Sequence, residues 1–193
     1  MDWDSSVKNA MQSEGKVKQG ELDKILDSAF AKGQAEGVIA ITKSVLVDEV
    51  PLTLSRPILQ KVALGLSRLE LGERRKAAEE TLELLRSRGV SFIDQTWKVR
   101  LALADVLESE ENWKEAAQVL GGIDLEGAAR LEEHFKLKTS VRIGQLFLEA
   151  DDPVSAEQYT KMAAPLVSGG AKVPAGKSLS EICVFPSLFP CVK

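Results

Sequence analysis

A chain of 193 residues with 44% apolar and 28% charged residues has the material for one packed core or a run of repeats, which excludes a wholly disordered polymer. Its 25 basic residues are outnumbered by 29 acidic ones and spread along the chain, which argues against nucleic acid as a partner. The longest uncharged apolar stretch, Ile182 to Val192, is far short of the ~20 residues of a membrane helix and contains Pro186 and Pro190, so no membrane partner is expected.

Met1-Asp2-Trp3-Asp4 opens the chain without the basic and apolar regions of a secretory signal, and the only cysteines are Cys183 and Cys191. Both observations fit a reducing compartment. From Trp3 to Val167 apolar residues recur with helical period, and no long alternating run predicts a strand. The pattern predicts helices over 4–14, 18–32, 34–48, 55–71, 73–88, 92–108, 111–120, 130–149 and 152–166. Gly72 and Gly89 stand where a helix stop takes a left-handed residue, and Arg86 and Arg88 suit the negative end of the preceding dipole. Ser91, with Asp94 three residues on, reads as an N-cap, and Asp152-Pro153 as a cap followed by a first-turn proline.

Segment 92–108 carries two apolar clusters, Ile93, Trp97, Leu101 and Ala104 beside Val99, Leu103, Val106 and Leu107. At about 100° per residue they cover more than half the circumference, as in a helix with neighbours on both flanks. Residues 112–116 and 152–156 superpose with an offset of 40, placing Leu103 on Ile143 and Leu107 on Phe147, and Lys76-Ala77-Ala78 hints at an earlier unit. Such a period suits two-helix modules of the tetratricopeptide and HEAT kind. The expected fold is therefore all-α: a right-handed helical-repeat solenoid of antiparallel helix pairs over 1–167, with an irregular tail over 168–193. Its expected core includes Trp97, Leu101, Leu103, Trp113, Ala116, Ala117, Leu120, Leu137, Val141, Phe147 and Ala156, the alanines allowing close helix approach.

Side chains capable of chemistry are sparse. His134 is the single histidine, so neither a Ser-His-Asp triad nor a His-based zinc site has its usual complement, and a surface or partly buried helix position is expected. Cys183 and Cys191 lack the spacing of a metal knuckle, and Pro190-Cys191-Val192-Lys193 puts cysteine one position late for prenylation. Glu149, Asp151 and Asp152 read as a cap with solvated neighbours rather than a cation site. Gly121-Gly122 and Gly169-Gly170 read as loop punctuation without the Lys-Ser/Thr of a phosphate loop, and Trp97 and Trp113 as core anchors. No catalytic, metal or cofactor residue is expected, and a small hydrolase on a helical scaffold is the disfavoured rival.

Two blocks carry a family resemblance: residues 111–123, Glu-Asn-Trp-Lys-Glu-Ala-Ala-Gln-Val-Leu-Gly-Gly-Ile, and residues 136–159, from Lys-Leu-Lys-Thr through Leu-Phe-Leu-Glu-Ala-Asp-Asp-Pro-Val-Ser-Ala-Glu-Gln-Tyr. Both resemble the COP-9 signalosome subunit 4 family, strongly from Val106 to Met162 and diffusely before that. Ser140 and Gly144 depart from it, since the family more usually has an aromatic and an alanine there. The resemblance implies a non-catalytic arm of helical repeats, followed in the family by further repeats and a winged-helix PCI module. It also implies partners among the other signalosome subunits and cullin-RING ligases, in the cytoplasm and nucleus, within a complex that removes a ubiquitin-like modifier from cullins. A proteasome regulatory lid subunit of similar architecture is the alternative. On this reading the pattern stops near Val167, as in a truncated splice form or mispredicted gene product, and the arm alone is not fully functional.

The same reading leaves helix 152–166 with an unpartnered face at Val154, Met162 and Leu166 and makes self-association through it an expectation. The tail, with Pro174, Pro186 and Pro190 and no period, is expected to be disordered despite Ile182, Val184, Phe185, Leu188 and Phe189.

Overall fold

The computed structural model describes residues 2–13, 15–125 and 131–168. Among these residues it contains nine α-helices and no strand: α1 (Trp3–Gln12), α2 (Gly15–Ala31), α3 (Ala35–Val45), α4 (Leu52–Gly65), α5 (Leu71–Arg86), α6 (Ile93–Ser109), α7 (Trp113–Gly121), α8 (Glu133–Glu149) and α9 (Pro153–Ser168). Every helix expected from periodicity is present. The tail expected over 168–193 lies outside the described residues, except for Ser168, which is the last residue of α9. The chain divides into two compact units, Met1–Glu110 and Glu111–Lys193.

The first unit is a two-layer stack. Helices α1, α3 and α5 pack successively on one another, as do α2, α4 and α6, while sequence neighbours such as α2 and α3 pack across the layers. Each helix thus meets its second neighbour as well as its first, the arrangement that a repeat of helix pairs produces. At the centre is α3, with Ala35, Gly37, Val38, Ile39, Ala40, Ile41, Thr42 and Val45 all buried. A helix apolar nearly all round must be surrounded by others. Its one buried hydroxyl, on Thr42, is satisfied within the helix by donating to the Val38 carbonyl at 2.9 Å.

Side chains from α5 and the segment after it serve both ends of α3. At the start, Gln34 makes no side-chain cap, and the Ala35 N–H instead donates to Glu73 Oε2 at 2.7 Å. At the far end Arg88 donates to the Leu46 and Val47 carbonyls, each at 3.0 Å. The buried Ser55 adds a hydrogen bond to the Val45 carbonyl at 2.7 Å. These groups supply the donors and acceptors that a helix leaves unmatched at its termini. Lys76–Glu36 at 3.2 Å adds a link between α3 and α5, and Arg75–Glu110 joins α5 to the end of α6. The cross-links from Arg56, Glu73, Arg75, Lys76 and Arg88 join residues 35 to 42 positions apart, close to the repeat read from the sequence.

Three expected helix signals operate differently. Gly72 lies inside α5, because a 3₁₀ turn over Leu66–Arg68 ends the preceding helix, and Arg74 Nη2 satisfies the Ser67 and Leu69 carbonyls at 2.8 and 2.9 Å. No left-handed glycine is then required. Gly89 opens a second 3₁₀ turn, Gly89–Phe92, instead of stopping a helix. Ser91 falls within that turn and caps nothing; its carbonyl accepts from Arg56. Arg88 complements the C-terminal end of α3, whereas Arg86 pairs with Glu83 on its own helix.

In the second unit α8 packs against both α7 and α9. Gly144 on α8 lies beside Ala156 and Thr160 on α9, while Leu137, nearer the start of α8, clusters with Ala163, Leu166 and Val167. Later residues of one helix therefore meet earlier residues of the other, which makes α8 and α9 an antiparallel pair. Ala156 and Ala163, 1% and 0% exposed, form the close seam.

The two units contain glycines of opposite character. A methyl group at Gly65 would lie 2.3 Å from the Phe30 ring, and Gly65→Ala is expected to destabilise by ~1–3 kcal/mol through overpacking. A methyl at Gly144 would sit 3.7 to 3.9 Å from Ala156, Thr160 and Tyr159, which is ordinary contact. Gly144→Ala is therefore expected to stabilise by roughly 0.5–1 kcal/mol, because it restricts the unfolded backbone without a clash. Urea unfolding of the two variants checks both signs.

Candidate interaction surface

The 40-residue offset seen in the sequence has a backbone counterpart. Glu111 and Asp151 have φ of 58° and 56°, in the left-handed region that side chains with a Cβ rarely adopt. Gly33, φ 64°, occupies the same kind of position after α2. At Gly33 and Asp151 the hydrogen bonds are those of a Schellman ending: Gln34 N–H to Ala29 and Gly33 N–H to Phe30, then Asp152 N–H to Phe147 and Asp151 N–H to Leu148. The recurring element is thus a reversal, followed at once by the next helix.

Asp152 performs the capping read from the sequence. Its Oδ1 accepts from the Ser155 backbone N–H at 3.1 Å and its Oδ2 from the Ser155 hydroxyl at 2.8 Å, and Pro153 follows as first helical residue. The backbone and hydroxyl bonds from Ser155 hold its carboxyl below the usual range. Asn112, the corresponding residue before α7, makes no backbone cap and bonds Glu115 Oε2 at 2.6 Å instead.

Of the residues expected in the repeat core, Leu103, Ala116, Ala117, Leu120, Leu137, Phe147 and Ala156 are buried. Trp97, Leu101, Trp113 and Val141 are only half-buried. The covered side of α6 is centred on Val99, Leu103, Val106 and Leu107 with Ala104 at its margin, so Trp97 and Leu101 lie on the flank; Ile93, the first residue of the helix, is exposed. The Lys98 ammonium stands 5.4 Å from the Trp97 ring centroid, where it retains solvent. Trp113 is the first residue of α7 and lacks a preceding helical turn to cover it. Val141 packs at the edge of the Leu137–Ala163 cluster.

A contact missed by sequence reading centres on Tyr159. Its ring stacks on Phe147 with centroids 5.7 Å apart, and its hydroxyl lies 2.6 Å from where a Cβ at Gly121 would be. Gly121, expected as loop punctuation, is the last residue of α7 and is small because α9 approaches it. Burial raises the Tyr159 pKa. The available signal was a small residue 38 positions before an aromatic, which has meaning only once the helices are paired.

His134 is a half-buried second residue of α8, and Glu149 and Asp151 are exposed. Among the described residues no three His, Cys, Asp or Glu side chains are placed to hold a metal ion, and no helix is long and apolar enough to cross a membrane. Cys183, Cys191 and Gly169-Gly170 lie outside the described residues. The expected bare face of α9 is discontinuous: Val154 is 69% exposed, Met162 lines a groove of about 500 Å³ with Leu125 and Pro165, and Leu166 packs toward Leu137.

The family model described as PSMD12/CSN4, N-terminal matches residues 6–172. The chain belongs to this family. It is similar to COP9 signalosome complex subunit 4 of Arabidopsis thaliana, 39% identical over 154 residues, covering 79% of this chain and 38% of the relative. The subunit 4 of Drosophila melanogaster is 34% identical over 132 residues, 68% of this chain and 32% of that one, and that of Emericella nidulans is 36% identical over 126 residues, 65% and 31%. The chain thus spans roughly a third of the length of the curated relatives it matches. The family match embraces both units, including the reversal at Asp151.

Two outcomes test the reversal. Glu111→Gly is expected to raise stability more than Asp151→Gly, because a left-handed residue with a Cβ costs about 1–2 kcal/mol and aspartate tolerates the conformation better than glutamate. Thermal unfolding of both variants gives the order. For Asp152 the folded pKa is depressed, so its stabilisation is present above the ordinary carboxylate range and is lost as pH falls through the depressed value. Asp152→Ala should lower Tm by a few degrees at pH 7, and the gap to the parent protein should close at strongly acid pH; a pH-independent gap would contradict the capping role.

Proposed function

We propose that this chain is a non-catalytic scaffold arm of a COP9 signalosome, acting by presenting stacked helices to other subunits and to cullin-RING ligases, in the cytoplasm and nucleus. The observation that carries this reading is the agreement of curated signalosome subunit 4 relatives at 34–39% identity across both compact units. The stacked first unit supports it physically: side chains spanning 35 to 42 residues brace successive helices, as suits a part that holds position. In the proposal, deneddylation of cullins belongs to the assembled complex and this chain contributes binding surface only.

The test uses the tagged chain as bait in cell extract, with recovered proteins identified by mass spectrometry. Recovery of signalosome subunits, together with cullins, is the expected outcome. Recovery of proteasome lid subunits in their place would overturn the assignment in favour of the other branch of the family. Cleavage of a modified cullin by the purified chain alone, abolished by a chelator, would overturn its non-catalytic role.

A further inference from the structure

We draw no further inference here: the strongest candidate, the groove between α8 and α9 lined by Met162, Pro165 and Leu166 with Lys136 and Lys161 at its rim, carries nothing because nothing in the structure shows what covers it.

Discussion

The first unit depends on how α3 is finished. The amides and carbonyls at the ends of a helix have no partner within it, and where packing thins the water around them an unmet group costs up to about 1–3 kcal/mol. Glu73 answers the amide at one end and Arg88 the carbonyls at the other. Because Glu73 lies near the start of α5 and Arg88 just beyond its end, satisfying both obliges α3 and α5 to run in the same direction. The polar ends thereby fix a register that apolar packing, being non-directional, leaves loose. Lys76 with Glu36 adds little energy on an exposed surface but obeys the same register.

This explains what was legible in the sequence. Helix existence follows from local periodicity, and all nine segments were readable for that reason. Helix endings were readable only where the partners are adjacent, as with Asp152 and Ser155. Gly72, Gly89 and Ser91 act otherwise because 3₁₀ turns over Leu66–Arg68 and Gly89–Phe92 carry the chain between those helices, and the side chains that hold the joints reach across the repeat: Arg56 to Ser91 over 35 residues, and Arg88 to a helix 42 residues earlier. A cap supplied at that distance leaves no local mark. The core list divides similarly. Ala116, Leu120 and Ala156 sit where any packing of the pair buries them, whereas Trp97 and Leu101 needed knowledge of which half of a wide apolar arc the neighbours cover.

The repeat is more faithful in backbone than in side chains. Gly33, Glu111 and Asp151 share a left-handed conformation although only one is a glycine, so residue identity alone would not align them. Within this chain the common feature is therefore a way of reversing the backbone, carried by a different residue type each time. The Phe147–Tyr159 stack and the small Gly121 beneath the phenol show the same economy, since one ring joins α7, α8 and α9.

Tyr159 is the only tyrosine in the chain, and its placement gives the second unit an optical signature of its own. Phenolate absorbance in this protein reports a single site, between α7, α8 and α9, without contribution from Met1–Glu110. Burial keeps that phenol protonated beyond its ordinary range, so alkali favours forms of the unit in which the ring is released to water. Ultraviolet titration can consequently follow the opening of this three-helix contact, while Trp3 and Trp97 record the first unit and Trp113 the start of α7.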